Sequence, residues 1–275
     1  MAEKKTKSTK AEEPAAKKLA PGRVNVYDVK GEVAGEAALP VAFKSEFRPD
    51  LIRRAVTAIE ANARQPYAPK STAGQRHSVS TWGKGRGVSR VQRLMDSSRA
   101  AQSPNNVGGR RAHPPKVDKD LGKKINKKEM FVAKLSALGA TNRAEMVKAR
   151  GHRFDEELTV PVVVKDDIEG IKTTQGAVEM LEALGVLDDV VRAKDGKNVR
   201  AGRGKMRGRR YRMPRSVLFV VSKDCDGWKS LRNLSGVEVV TPSGLNASTL
   251  APGGSAGRLM VISETALAAI GGWKA

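Results

Sequence analysis

Three glycines alternate with two cations in Trp82-Gly83-Lys84-Gly85-Arg86-Gly87-Val88. Glycine has no Cβ, so the backbone there can press against a phosphate or ribose while the intervening cations reach outward. Trp82 adds a flat apolar face on which an unpaired base can stack, the usual mode of contact with single-stranded RNA. The plainer alternative is a flexible basic linker. A linker needs no tryptophan, and it has no use for the stiff run Gly108-Gly109-Arg110-Arg111-Ala112-His113-Pro114-Pro115 further along. Residues 200–212, RAGRGKMRGRRYR, repeat the same chemistry. Guanidinium groups pair with phosphates through two parallel hydrogen bonds, and glycine spacing lets the backbone follow a nucleic-acid surface. The alternative for this run is a disordered Arg/Gly patch.

Other chemistries fit less well. Gly204-Lys205 precedes Met206 where a phosphate-binding loop needs Ser or Thr for magnesium, so the run is no P-loop. Its glycines are spaced G-x-G-x-x-x-G and precede a strand, which excludes a dinucleotide fingerprint. Gly253-Gly254-Ser255-Ala256-Gly257 spells the nucleophile elbow of a hydrolase, yet it leads into a strand, and the last histidine, His152, lies upstream. A tight turn into the sheet is the expectation there. Asp166, Asp167 and Glu169 follow an apolar run, where parallel-sheet active sites commonly sit, and a magnesium-dependent nuclease could use them. No partnering His or Lys motif accompanies them, so solvated turn residues are the simpler reading. His77, His113 and His152 are scattered and read as phosphate contacts or bystanders.

The charge distribution agrees with this choice. Of the formal net charge of +22, +20 sits in two stretches. Residues 61–117 carry eleven Lys/Arg and one acid, Asp96; residues 192–215 carry eleven and one acid, Asp195. The remaining 194 residues hold 29 basic and 27 acidic side chains, the balance of an ordinary soluble domain. Two cationic extensions on a near-neutral domain point to a polyanion, bound largely by release of its condensed counterions. A membrane surface fits less well, because the basic stretches lack an amphipathic apolar face. The single Cys225 excludes an internal disulfide and a multi-cysteine zinc site, and a reducing, cytosolic setting fits it. Residues 1–20 have no apolar stretch of the kind a secretion signal needs and read as a disordered tail.

The elements that must carry these motifs can be placed by period. Val24–Val29 alternates like a strand, and Lys30-Gly31 turns it into Val33–Leu39 as a hairpin. Pro49 opens a helix with Leu51, Ile52, Ala55, Val56 and Ile59 on one face, a period that fades near Asn62. The next fifty-odd residues have no sustained apolar period, only isolated Val79, Trp82, Val88, Val91, Leu94, Met95 and Val107. Such a length far exceeds an ordinary loop and should be functional or disordered. Helical signal returns at Asn126, spaced from Glu129 as a capping-box variant. From Val160 onward, apolar runs at 160–164, 217–221, 237–241 and 259–263 alternate with amphipathic segments at 175–184, 228–234 and 265–270. That grammar predicts a mostly parallel sheet covered on both faces, interrupted by the second basic stretch.

The ordered series RPDLIRRAV (48–56), RQPY (64–67), WGKGRGV (82–88), VGGRRAHPPK (107–116), INKKE (125–129), RGHRFD (150–155), RAGRGKMRGRRYR (200–212), PRSVLFV (214–220) and LAPGG (250–254) resembles the large-subunit ribosomal protein L-four family in its archaeal and eukaryotic form. The similarity runs from about Val24 to Leu267. It implies an α/β fold: a three-layer α/β/α domain with a mainly parallel sheet, a long extended basic loop and, in this chain, a disordered N-terminal tail. The organisation expected is a tail over 1–22 and a single domain over 23–275, interrupted by an rRNA-penetrating loop at 64–116 and a second basic loop at 192–215.

The resemblance also implies a non-enzymatic constituent of the large ribosomal subunit, cytoplasmic, without cofactor or metal. Its partners would be large-subunit rRNA, neighbouring ribosomal proteins including L-twenty-two, and the nascent polypeptide, with no membrane and no homo-oligomer. Carried over by motif, the loop tip Trp82, Gly83, Lys84, Gly85, Arg86, Gly87 and Val88 would line the peptide exit tunnel, between arms at 64–81 and 92–116. The rRNA contacts of the long loop would be Arg64, Arg76, Lys84, Arg86, Arg90, Arg93, Arg99, Arg110, Arg111 and Lys116. Those of the second loop would be Arg200, Arg203, Lys205, Arg207, Arg209, Arg210 and Arg212. Two rival readings are an RNA-cleaving or RNA-modifying enzyme built on the acids after the 160–164 run, and a free-standing RNA chaperone.

Overall fold

The strand–helix alternation after Val160 demands a sheet buried on both sides, and the computed structural model, which describes residue 20 and residues 22–273, contains one. The expected tail of residues 1–22 falls almost wholly outside the described residues. In chain order the elements are β1 (Arg23–Tyr27), β2 (Val33–Ala38), α1 (Pro49–Asn62), β3 (Val79–Ser80), β4 (Arg93–Leu94), α2 (Lys127–Thr141), α3 (Ala144–Ala149) and β5 (Val162–Val164). They continue with α4 (Thr174–Ala183), α5 (Leu187–Asp195), β6 (Asn198–Val199), β7 (Tyr211–Arg212), β8 (Leu218–Val220), α6 (Asp226–Arg232), β9 (Glu238–Val240), α7 (Ala247–Leu250), β10 (Met260–Ser263) and α8 (Glu264–Gly271). The central sheet runs β2-β1-β5-β10-β8-β9; every pairing is parallel except the β1–β2 hairpin. No helix among the described residues is long and apolar enough to cross a membrane.

The two-residue period of a strand sends alternate side chains to opposite faces. Val162, Val164, Phe219, Val221 and Val261 pack in one cluster with Met180 and Leu181 of α4, Val190 of α5 and Leu231 of α6. The intervening Val163, Leu218, Val220, Met260 and Ile262 are equally buried. They point to the opposite face, away from that cluster, and α8 packs against β5 and β10. At the turn between β1 and β2, Gly31 has φ +81°, and a Cβ there would stand 2.2 Å from the Ala183 carbonyl oxygen. The hairpin turns where the sequence places it because only glycine fits against the end of α4.

Two local expectations differ in detail. Asn126 occupies the N-cap of α2, but its side chain makes no capping bond. Glu129, expected to reach back to it, pairs instead with Arg54 at 3.6 Å. His152 is no bystander: its side chain is 2% exposed, and its Nδ1 lies 3.0 Å from Oδ2 of the fully buried Asp189.

Asp189, in the first turn of α5, gathers groups from three segments. It accepts from the backbone N–H of Arg153 at 3.1 Å, from Nε of Arg192 at 2.9 Å and from Oγ of Ser216 at 2.7 Å, besides His152. Burial by itself would raise this carboxyl. The bonds from His152, Arg192 and Ser216 outweigh burial and hold it at about 2. Because the folded value lies below the unfolded one of roughly 3.9, the stability contributed is fully present above that pH and is lost as pH falls toward 2.

The chain divides into two compact units: the residues before Ala58 together with those from Ile125 onward, and Ala58–Lys124. Within 64–116, Ala101 alone is a buried apolar side chain. Replacing 64–116 by a short Gly/Ser linker should therefore leave a cooperative unfolding transition with near-native circular dichroism; loss of the transition would show that the insertion supports the sheet. Asp189→Asn should cost about 3–5 kcal/mol in denaturant unfolding at pH 7, since His152 and Arg192 lose the charge they surround. It should also flatten the acid arm of the stability profile between about pH 4 and 2, and an unchanged acid arm would show that other carboxylates govern it.

Candidate nucleic-acid interface

The insertion is not wholly without regular structure. Val79 pairs with Leu94 and Ser80 with Arg93 in an antiparallel β3–β4 ladder that brackets residues 81–92. Two-residue strands are too short to show a period, which is why the sequence reads only as isolated apolar residues. Every residue from Thr81 to Arg90 is exposed. Gly83, Gly85 and Gly87 have φ of +73°, +79° and +66°, and a Cβ at any of them would meet nothing within 4 Å. Glycine is required there by backbone conformation alone, which leaves both sides of the turn open for approach.

Polar braces replace a core in this unit. The Gln102 side chain donates to the His77 carbonyl at 2.6 Å and the Gln75 carbonyl at 3.2 Å, tying the two arms together. The Arg110 N–H returns to the Gln102 carbonyl at 3.1 Å. The Arg93 guanidinium lies 5.1 Å from the Trp82 ring centroid and donates to the carbonyls of Ser98 and Ser89. Among the expected rRNA-binding residues of the long loop, Arg93 is thus half-buried and committed to bracing the tip. Arg64, Arg76, Lys84, Arg86, Arg90, Arg99, Arg110, Arg111 and Lys116 are all exposed, and none has an acidic partner among the described residues.

The second basic stretch starts inside α5, which runs to Asp195. The rest is an ordered hairpin. β6 and β7 pair through Asn198–Arg212 and Val199–Tyr211, with a 3-10 turn at Arg203–Arg207. The Arg200 N–H donates to the Arg210 carbonyl at 2.8 Å, and the Arg209 N–H to the Gly204 carbonyl at 3.1 Å. Gly202 and Gly208, at φ +74° and +77°, flank the turn. Lys197 and Arg210 stand over the Tyr211 ring at 4.5 and 5.6 Å. Arg200, Arg203, Lys205, Arg207, Arg209, Arg210 and Arg212 are exposed along it. A disordered Arg/Gly patch would show none of this geometry.

Of the carboxylates after β5, Asp167 is an exposed turn residue, while Glu169 ties strand ends together and Asp166 holds the start of α8. Glu169 accepts from the Ser222 N–H at 2.7 Å and Oγ at 2.8 Å, and from the Ser263 Oγ at 3.1 Å, joining the ends of β5, β8 and β10. Asp166 accepts from the backbone and hydroxyl of Thr265. Among the described residues no group of three or more His, Cys, Asp or Glu is placed to hold a metal ion. The elbow-like Gly253–Gly257 is a turn, with Gly253, Gly254 and Gly257 at positive φ, leading into β10. What sequence reasoning missed is the Gln102 brace and the Asp189 cluster. Each joins residues 25 or more positions apart, and neither carries a local motif.

Comparison with known proteins agrees with the motif series. The profile of the Ribosomal protein L4/L1 family matches residues 37–273. A protein of Methanococcoides burtonii named "Large ribosomal subunit protein uL4" is 49% identical over 243 residues, covering 88% of this chain and 95% of that protein. One of the same name from Methanothrix thermoacetophila is 50% identical over 242 residues, covering 88% and 96%. Another from Archaeoglobus fulgidus is 47% identical over 251 residues, covering 91% and 99%. With most of both chains aligned and the family profile spanning both basic stretches, the chain belongs to the Ribosomal protein L4/L1 family.

Proposed function

We propose that this protein is a structural component of the large ribosomal subunit that binds large-subunit rRNA through two cationic extensions of its α/β domain. The observation that carries the reading is the row of exposed cations on residues 64–116 and 198–212, without acidic partners among the described residues, in a chain of this family. Crowded RNA phosphates repel one another, and rigidly presented guanidinium groups neutralise them while releasing counterions. The organisation that fits is a domain over 23–275 with an rRNA-penetrating loop at 64–116 and a second RNA-binding loop at 192–215. The tip at 82–88 lines the exit tunnel, facing the nascent polypeptide and ribosomal protein L-twenty-two. The braced Trp82–Arg93 pair supports that assignment, because a tunnel wall needs a fixed side chain where a linker needs none. The setting is the cytoplasm, and the role needs no cofactor.

Sedimentation of lysate on a magnesium-containing gradient tests the reading: the chain should co-migrate stoichiometrically with large subunits, and recovery at the top of the gradient would overturn it. Log affinity for rRNA should fall steeply with log salt. Replacing Arg203, Arg207, Arg209 and Arg210 by Gln should flatten that slope by about 0.7–0.9 for each phosphate no longer neutralised; a salt-independent affinity would assign binding to apolar or base-edge recognition. Trp82→Ala should leave subunit yield near normal and alter peptide stalling. Removing Arg76, Arg99, Arg110 and Arg111 together should lower yield. The opposite pattern in ribosome profiling and gradient yields would exchange the roles of tip and arms.

A further inference from the structure

Beside the root of the β6–β7 hairpin lies a cleft of about 1040 Å³. Its walls come from the start of α1, the end of α3, the C-terminal end of α5, both strands of the hairpin and the 252–256 turn. Six arginines line it, Arg53, Arg150, Arg192, Arg200, Arg212 and Arg215, and no Asp or Glu does. Several are locked in place by carbonyl oxygens, which orient a guanidinium without cancelling its charge. Arg150 Nη2 donates to the Pro252 carbonyl at 3.0 Å, Arg192 Nη2 to the Arg215 carbonyl at 3.0 Å, and Arg200 Nε to the Tyr211 carbonyl at 3.1 Å. Among the described residues, acidic compensation reaches two of the six: Arg192 through Asp189, and Arg215 through Glu238 at 3.6 Å.

Two buried polar atoms of the lining residues have no hydrogen-bond partner among the described residues, Nη1 of Arg150 and Nε2 of His152. Burial and the nearby Arg258 and Arg192 pull Arg150 down to about 10, so it stays charged at neutral pH at a cost to the fold. A ligand that recovers this cost must be anionic. It must also match a field that continues out of the cleft along the exposed cations of the hairpin. A single small anion would meet the cleft alone, whereas a strand with a charge at every repeat meets both.

We propose that this cleft seats a short run of consecutive phosphates of single-stranded rRNA, which enters along the β6–β7 hairpin and is clamped by Arg53 and Arg150. The site deepens the rRNA-binding reading of residues 192–215 and rests on it. Arg53 and Arg150 lie outside both basic stretches, so net charge along the sequence does not mark them. Asp189 is a positioning residue here, since it holds Arg192 and the His152 wall without lining the cleft itself.

The test is filter binding of the full chain to a large-subunit rRNA transcript across a potassium chloride series, together with ultraviolet crosslinking and peptide mapping. Arg53→Gln with Arg150→Gln should flatten the log–log salt slope by about 1.4–1.8, as two phosphates are left without their cations. Lys172→Gln with Lys229→Gln, on a separate surface, should bind like wild type. Arg150→Lys, in the Arg53→Gln background, should recover about half of that slope change by restoring one charge. If the double variant does not fold, Arg53→Gln alone, at an exposed site on α1, should show half the change. Crosslinks should map to residues 146–153 or 212–215.

An unchanged slope in the Arg53/Arg150 variant, with the Arg203/Arg207/Arg209/Arg210 variant still weakened, would overturn the cleft and leave the rRNA reading standing. A wild-type chain that does not bind the transcript would overturn that reading itself. Displacement of the crosslinks by polyglutamate at concentrations that leave hairpin binding intact would reassign the cleft to an acidic peptide.

Discussion

Mutual repulsion among cations is the constraint that orders this molecule. Two like charges a few ångströms apart cost about 1 kcal/mol in water and several times that where the effective dielectric falls, so a chain of net charge +22 cannot scatter its arginines through a core. The sheet that forms the core is almost purely apolar, with β5, β8 and β10 buried along their whole length. The charges admitted to its interior are paired with opposite charge. Arg258, with no exposed side-chain surface, donates to Glu238, to the Ser216 carbonyl and to the Thr249 carbonyl. Asp189 does the reciprocal work for His152 and Arg192. The other cations lie outside the sheet, on the outer faces of helices such as Arg53 and Arg54 of α1 and, most densely, on the two basic stretches.

The parts of the structure that were legible in the sequence are those set by local period. The apolar runs at 160–164, 217–221, 237–241 and 259–263 each contain a strand of the central sheet, trimmed by one or two residues. Continuous burial of a strand leaves a run of Val, Ile and Leu that needs no knowledge of its neighbours. The same holds for Pro49 opening α1 and for Gly31 closing the β1–β2 turn. The cationic stretches were legible as charge, and their residue types alone name phosphate as the partner chemistry. Their shape was not. β3, β4, β6 and β7 are two residues each, so no alternation could develop, and their register is set by cross-strand bonds such as Arg200 to Arg210.

Tertiary polar contacts were the least legible of all. Asp189 sits in a helix whose sequence, Leu-Asp-Asp-Val-Val-Arg, reads as an ordinary amphipathic turn with acids at its start. Nothing local distinguishes Asp189 from Asp188, although the first is buried beneath His152 and Ser216 and the second is exposed. The cleft arginines pose the same difficulty. Arg53 and Arg150 lie in segments of balanced charge, far apart in the chain, and only the fold brings them to one wall. Motif reading located the long cationic excursions but not the place where the folded domain itself turns a cationic face.

In the unit of residues 58–124, repulsion removes the option of a core, and the energetics change accordingly. Fixing a backbone residue costs about 1–2 kcal/mol in conformational entropy, and a hydrogen bond returns about 0.5–1.5 kcal/mol net. Across 64–116 the returns come from Gln102, Asn106, Arg93 and the short β3–β4 ladder, with one buried alanine and no larger apolar side chain. Those bonds outline a shape without stabilising it strongly. On the rRNA-binding reading proposed above, neutralisation of these cations by a polyanion would add the stabilisation that a core does not. On that reading, the order of this unit and its affinity for a polyanion rise together. A segment with a stronger core of its own would have to place fewer charges where phosphates can reach them.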